Sequence, residues 1–305
     1  MGTSRQRRAT GNPMNLLKSI FISTYITLLM VAIVQSIMAL VGPEGPLQEG
    51  DLTWFSLQWA GALISTAVPM SFFMKIFLTS TPRTQENLNT LLYAVVIGFV
   101  VSVIGVITGE PAGLGLIYSG LVGVVGYLLY NYWYSTFSNR DESLIKVGEK
   151  IPSFEIYSTD GEKLTPNELK GSPALMMFYR GNWCPLCMAQ IKEVANQYKT
   201  LADKGVRVLL ISSQPDGNSR SLAKKFNVPF EFMVDRNNQA ADALKILSKS
   251  GTPMGLQALG YSSDTVMPTV IITDAEGKVI FADLTDNYRV RPEPETFLKA
   301  IAEAG

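Results

Sequence analysis

Histidine is missing from all 305 residues. Its absence removes the usual general base, the commonest metal ligand and the axial ligand of most haems. Cysteine is almost missing: Cys184 and Cys187 are the only 2 in the chain. Two sulfurs fall short of the four Cys or His ligands of a structural zinc site, so no metal and no cofactor is expected. With no cysteine before Cys184, the preceding half cannot relay electrons as thiols. An excess of charge is absent too, since 26 Lys and Arg balance 26 Asp and Glu, and nothing points to a nucleic-acid partner. Whatever reaction occurs, sulfur must carry it.

Charge is locally absent as well, over 19–41, 52–74, 87–109 and 111–139. Each run reaches the roughly 20 apolar residues that cross a ~30 Å hydrocarbon core as a helix. The first is too long for a cleaved signal and lacks a small-residue cleavage pattern. The expected architecture is an α-helical four-span membrane region, 19–136, with the lipid bilayer as its partner. A cytoplasmic tail, 1–18, precedes it and a linker, 137–150, follows. Pro69 interrupts one backbone hydrogen bond of the second span. Lys and Arg concentrate at Arg5, Arg7, Arg8 and Lys18, at Lys75 and Arg83, and at Arg140, Lys146 and Lys150, whereas Glu44, Glu49, Asp51 and Glu110 fall in the other two loops. By the positive-inside rule both ends face the cytoplasm of a multi-pass cell-membrane protein. Small residues at Ala94, Gly98 and Ser102, and at Gly115, Ser119 and Gly123, predict close packing of the third and fourth spans.

From 151 to 305 the pattern changes to an α/β domain. Short strands are predicted over 153–157, 174–179, 206–211, 230–234, 269–273 and 279–284. Helices are predicted over 188–202, 219–226, 238–247 and 294–302. The run 174–179 is apolar throughout, as suits a central strand buried on both faces.

Directly after it comes Trp183-Cys184-Pro185-Leu186-Cys187. A cysteine pair three apart, following a strand and opening a helix, reads as a thiol–disulfide redox centre. Unpaired backbone N–H groups and the helix dipole stabilise a thiolate at such a position, lowering its pKa from about 8.5 into the range of roughly 3.5 to 7.5. Cys184 is therefore the expected nucleophile. Cys187, one turn on, is placed to attack the mixed disulfide and release the product. Arg180 adds positive charge nearby. A structural disulfide here would close too short a loop to stabilise much.

Three stretches resemble the thioredoxin-fold, peroxiredoxin-like superfamily of alkyl hydroperoxide reductases and thiol-specific antioxidants. They are Phe178-Tyr179-Arg180-Gly181-Asn182-Trp183-Cys184-Pro185-Leu186-Cys187, Val266-Met267-Pro268-Thr269-Val270 and Asn287-Tyr288-Arg289-Val290-Arg291-Pro292. The last, with two arginines around a valine, reads as a solvated turn. The resemblance implies a thioredoxin-like domain over 151–305 in which Trp183 shields the site and Pro268 is a cis-proline facing the cysteines. Met267 would then present its backbone to substrate. Typical peroxiredoxins place Pro and Thr or Ser seven and three residues before the peroxidatic cysteine, and an Arg near Pro268. Here these positions hold Met177, Gly181 and Met267. The buried aspartate that thioredoxins keep six residues before the first cysteine is Phe178. Lacking the peroxide-activating donors, the domain is expected to be a membrane-tethered thiol–disulfide oxidoreductase; the alternative is a thiol-dependent peroxidase with antioxidant activity. Its partners would be a protein disulfide or a peroxide and a thiol electron donor.

Overall fold

A computed structural model describes residues 13–41, 56–137 and 140–304. The three early arginines and the acidic residues Glu44, Glu49 and Asp51 lie outside the described residues. Four helices, α1 (Pro13–Val41), α2 (Leu57–Leu78), α3 (Asn89–Ile107) and α4 (Leu114–Tyr134), are long and apolar enough to cross a membrane. Lys75, expected beyond the second charge-free run, lies inside α2 on its last turn, where a cation meets the negative end of the helix dipole. Helix α4 widens into π-helical turns at Tyr118–Val125 and Leu129–Tyr134.

The small-residue stripes of α3 and α4 pack mainly on α2 rather than on one another. A Cβ on Gly61 would lie 2.3 Å from the Gly98 carbonyl and 2.5 Å from the Ser102 nitrogen. Gly115 abuts Gln58, and a Cβ on Gly123 would meet the Ser65 side chain at 2.6 Å. The reason lies in α2 itself, whose Gln58, Gly61 and Ser65 form a third narrow stripe at helical spacing. Ser65 Oγ donates to the Val95 carbonyl at 2.9 Å and Ser102 Oγ to that of Gln58 at 2.8 Å. Glu110, in the α3–α4 turn, caps α2 from a distance. Its carboxylate accepts from the backbone nitrogens of Leu57 and Gln58 at 2.7 and 3.2 Å. These are among the donors that a helix start leaves unpaired.

The second half is built on strands β1 (Ile156–Ser158), β2 (Lys163–Leu164), β3 (Ala174–Phe178), β4 (Arg207–Ser212) and β5 (Glu231–Val234). A two-stranded ribbon follows, β6 (Leu247–Ser248) with β7 (Thr265–Val266), and then β8 (Thr269–Thr273) and β9 (Val279–Asp283). The seven-stranded sheet has the order β2-β1-β5-β4-β3-β8-β9. Strand β3 lies parallel to β4 and antiparallel to β8, and all five of its residues are buried. Helices α5 (Pro185–Asn196), α6 (Tyr198–Asp203), α7 (Asp216–Phe226), α8 (Gln239–Ala243) and α9 (Pro294–Ala304) cover it. The predicted helix 188–202 thus breaks at Gln197, whose nitrogen turns back to the Val194 carbonyl. The predicted helix 238–247 is shorter, because Asn238 and Lys245, at φ 56°, leave the helical region at either end.

Side chains of β3 alternate between two cores, as strand geometry demands. Leu175 and Met177 join a core that holds both cysteines and continues into the helices through Tyr25, Phe73 and Tyr130. Met176 and Phe178 join the other, with Ile156, Met233 and Met267. Phe178 therefore points away from the sulfurs, and the position at which an aspartate was sought does not face them.

The halves are clasped together. In the segment expected as a solvated turn Asn287, Arg289 and Arg291 are buried, and Arg289 has no exposed surface. Its guanidinium donates to Ser135 Oγ at 2.9 Å, Thr84 Oγ1 at 2.9 Å, Gln85 O at 2.8 Å, Glu86 O at 3.1 Å and Asn131 Oδ1 at 3.0 Å. All belong to α4 and its end or to the α2–α3 loop. From that loop Arg83 reaches back to Glu193, and its Nε donates to the Arg291 carbonyl at 3.1 Å. The linker is not free either. Arg140 donates to the carbonyls of Pro268 and Thr285 at 3.1 and 2.8 Å, and Ile145 is buried in the second core.

Candidate active site

Cys184 caps α5 with extended backbone angles, φ −90° and ψ 106°, and its Sγ accepts from the Cys187 nitrogen at 3.3 Å. Pro185 follows at the first helical position, where its missing N–H costs nothing. Both cysteines are free thiols. The strand-to-helix turn is held by a side-chain network. Asn182 N donates to Gln214 Oε1 at 2.8 Å, and Gln214 Nε2 donates to the Tyr179 hydroxyl at 3.0 Å and to Ser219 at 3.1 Å. Gly181 has φ +147°, and a Cβ there would lie 2.7 Å from Trp183 Nε1. The turn therefore requires glycine.

Two guanidinium groups flank the sulfurs. Arg291 Nη2 approaches Cys187 Sγ at 3.5 Å while its Nη1 donates to Gln190 Oε1 at 2.8 Å. Arg180 is 8% exposed, lies 4.8 Å over the Trp183 ring and donates to the Gly251 carbonyl, but its Nε meets no partner. Arg180 was expected from the sequence. Arg291 was missed: its only signal was a pair of arginines beside a hydrophobic residue, and 104 residues separate it from Cys187.

The two thiols share their ionisation. Burial pushes both thiols up. For Cys184 the hydrogen bond with Cys187 and the charge there add to the rise, and Arg291 and Arg180 offset it only in part, leaving it well above an ordinary thiol. For Cys187 the hydrogen bond from Cys184 and the Arg291 charge outweigh burial and bring it down to about 5. The lowered ionisation belongs to the pair, which favours one negative charge shared by the two sulfurs and countered by Arg291. The helix terminus favours a thiolate at Cys184, and the guanidinium of Arg291 favours one at Cys187.

Accessibility runs the opposite way. Cys187 is fully buried, whereas Cys184 lines a cavity of about 360 Å³ between the redox domain and the helical bundle. Trp183 and Arg180 line the same cavity, as do Ile26, Phe73, Tyr130 and Tyr288. Met267 and Pro268 do not line it. The Met267–Pro268 peptide is trans, no cis bond being present among the described residues, and the Met267 nitrogen already donates to Ile246 O at 2.8 Å. That bond extends the β6–β7 pairing, and the Met267 side chain joins the core without the sulfurs, so the site joins Cys184, Cys187, Trp183 and Arg180 while Met267 and Pro268 stay off the cavity.

A family model described as the AhpC/TSA family matches residues 147–282. The thiol-disulfide oxidoreductase ResA of Bacillus subtilis (strain 168) is 26% identical over 164 residues, covering 52% of this chain and 76% of that protein. A putative peroxiredoxin bcp of Coxiella burnetii (strain RSA 493 / Nine Mile phase I) is 27% identical over 135 residues, covering 44% of this chain and 85% of its own. Among solved structures, the peroxidoxin BcpB of Mycobacterium tuberculosis superposes with a TM-score of 0.44 and 16% identity, over 53% of this chain and 99% of that one. Together with the site built above, the match identifies residues 147–282 as a thioredoxin-fold domain of the AhpC/TSA family.

Proposed function

We infer that the chain is a membrane-tethered thiol–disulfide oxidoreductase that works through the Cys184/Cys187 dithiol. The observation that carries this reading is the sulfur pair itself: one thiol on a cavity wall, the other buried behind it against Arg291, and the two in contact. Cys184 is the sulfur that meets substrate. Its proton can pass to the Cys187 thiolate, and the resulting Cys184 thiolate attacks a disulfide to give a mixed disulfide. Cys187 then displaces the reduced product, forming the Cys184–Cys187 bond, and a thiol electron donor restores the pair. Arg291 cannot accept a proton, so it serves as the fixed countercharge that keeps one thiolate available. The relative named a thiol-disulfide oxidoreductase agrees with this reading.

The four apolar helices support anchoring in a membrane, and the distribution of Lys and Arg supports a cytoplasmic redox domain. A thiol-dependent peroxidase is the second reading, favoured by the two guanidinium groups near the sulfurs and by the relative named as a putative peroxiredoxin. It ranks lower because Met177 and Gly181 stand where the family's Pro and Thr would support O–O cleavage.

The test uses the full chain in detergent with a small disulfide substrate. Cys187→Ser should accumulate a mixed disulfide through Cys184, and Cys184→Ser should accumulate none, because Cys187 has no exposed surface. Trapping by Cys184→Ser would overturn the assignment of roles. Rapid oxidation of Cys184 by hydrogen peroxide, at about 10⁵ M⁻¹s⁻¹ or above, with no disulfide turnover, would place the peroxidase first.

A further inference from the structure

The cavity beside Cys184 belongs to neither half alone. Its inner wall is the start of α5 with Arg180 and Trp183, its opposite wall is α1, α2 and α4, and its rim includes Phe77 and Met254. Phe77 is 60% exposed near the end of α2, and Met254, in the loop between β6 and β7, is 50% exposed. Both are apolar, so in a bilayer the opening faces the acyl boundary rather than bulk water. Met254 is fixed there by α1: its nitrogen donates to Ser19 O at 3.2 Å and its carbonyl accepts from Ser23 Oγ at 2.8 Å. Cys184 itself is only 2% exposed. A folded protein partner has no approach to the sulfur in this arrangement, whereas a slender apolar molecule dissolved in the membrane does.

The lining narrows the chemistry. Phe73, Tyr130, Tyr134, Trp183 and Tyr288 present ring faces and edges, which suits a flat ring. Arg180 is the charged group on the wall, more than nine-tenths buried, and its Nε has no partner. A buried donor left unpaired is costly, and an acceptor oxygen on a ligand would satisfy it. The hydroxyls of Tyr130 and Tyr288, 2.9 Å apart, form a second polar point among the lining residues, Tyr130 coming from the opposite wall. One free donor fits a carbonyl oxygen. Cleavage of a peroxide bond would call for donors at the positions held by Met177 and Gly181.

We propose that this cavity binds a lipid-soluble quinone from the bilayer and that the Cys184/Cys187 dithiol reduces it to the quinol. The proposal rests on the dithiol reading above and names the membrane-side partner of that same site. The pair starts as one thiol and one thiolate. The Cys184 sulfur adds to the ring, and Cys187 attacks Cys184, so that the S–S bond forms and the carbon–sulfur bond breaks. Two electrons pass to the ring. The two oxygens take two protons, one from the Cys184 thiol and one from water. The disulfide is reduced again by the thiol donor through exchange.

The full chain is reconstituted in lipid nanodiscs, reduced, freed of reductant and mixed with decylubiquinone. The expected result is one quinol per dithiol lost, with none from Cys184→Ser. Arg180→Gln should raise the half-saturating quinone concentration about tenfold with a smaller change in the maximal rate, since a hydrogen bond from a charged donor to the bound oxygen is lost. Ile26→Trp, which fills the cavity from α1, should likewise raise it. Absence of quinol from a preparation that still turns over a small disulfide would overturn the quinone proposal and leave the dithiol reading standing. Oxidation by an acyl-chain hydroperoxide much faster than by the quinone would overturn it in favour of a lipid peroxide as occupant. Failure of disulfide turnover as well would overturn the dithiol reading itself.

Discussion

The guanidinium of Arg291 sits 3.5 Å from the sulfur of Cys187 and is held there by Gln190 and by the Tyr288 carbonyl. It places a fixed positive charge behind the sulfur that has no exposed surface. Titration of thiolate absorbance should therefore show one ionisation near pH 5 and a second above the ordinary thiol range. The signs follow from the two values: the folded, reduced protein gains stability as pH rises from about 5 to the unfolded thiol value near 8.5, and the raised second ionisation takes stability back as pH rises further. Arg291→Gln should move the first ionisation up by about one unit or more. A first ionisation unmoved by that change would refute the pairing.

The clasp should be uneven in strength. Arg289→Ala leaves the carbonyls of Gln85 and Glu86 and the side chains of Thr84, Asn131 and Ser135 without its donors, and should destabilise the full chain by about 3 kcal/mol or more. Arg83→Ala removes an ion pair with Glu193 in which both side chains keep solvent contact, 22% and 30% exposed, and should cost about 1 kcal/mol or less. Denaturant unfolding in detergent compares the two, and equal losses would contradict the assignment of Arg289 as the main fastening.

Gly181→Ala should displace Trp183, because the new methyl falls 2.7 Å from its ring nitrogen and the backbone angle is one that side chains resist. A cost of about 1 to 3 kcal/mol is expected. Altered tryptophan emission with at least a tenfold slower disulfide turnover would register it, and unchanged kinetics would show that the turn does not set the site.

Topology is open to a direct labelling experiment. Since Lys and Arg cluster at the ends of the bundle that meet the redox domain, an impermeant thiol reagent given to intact cells should leave a Cys187→Ser variant unlabelled at Cys184 until the membrane is opened. Labelling before permeabilisation would place the domain on the outer face.

The fold was legible where one physical rule governs a long stretch. Charge-free runs marked four helices, and the buried run ending at Phe178 marked the central strand before the cysteines. The cysteine pair with its proline gave the helix start. What escaped depends on distant partners. No local pattern shows that Gly61 receives both Gly98 and Ser102, or that Glu110 caps α2. The Tyr288–Arg291 stretch has the composition of a surface turn. Its arginines are buried because Asn131, Ser135 and the α2–α3 loop supply the oxygens for Arg289, while Cys187 and Gln190 take Arg291. The trans Met267–Pro268 peptide is a further case, since the β6–β7 ribbon that holds Met267 depends on pairing between segments far apart in sequence.

One residue separates Arg289, which grips the bundle, from Arg291, which faces the sulfur. The two guanidiniums reach in different directions from a single short turn, so neither can be re-aimed without disturbing the other. The redox half is therefore not an interchangeable cassette. Deleting the helices would strip Arg289 of the acceptors that α4, its end and the α2–α3 loop supply. Boundaries drawn from sequence similarity alone, ending at residue 282, cut the chain before the very segment on which both halves depend.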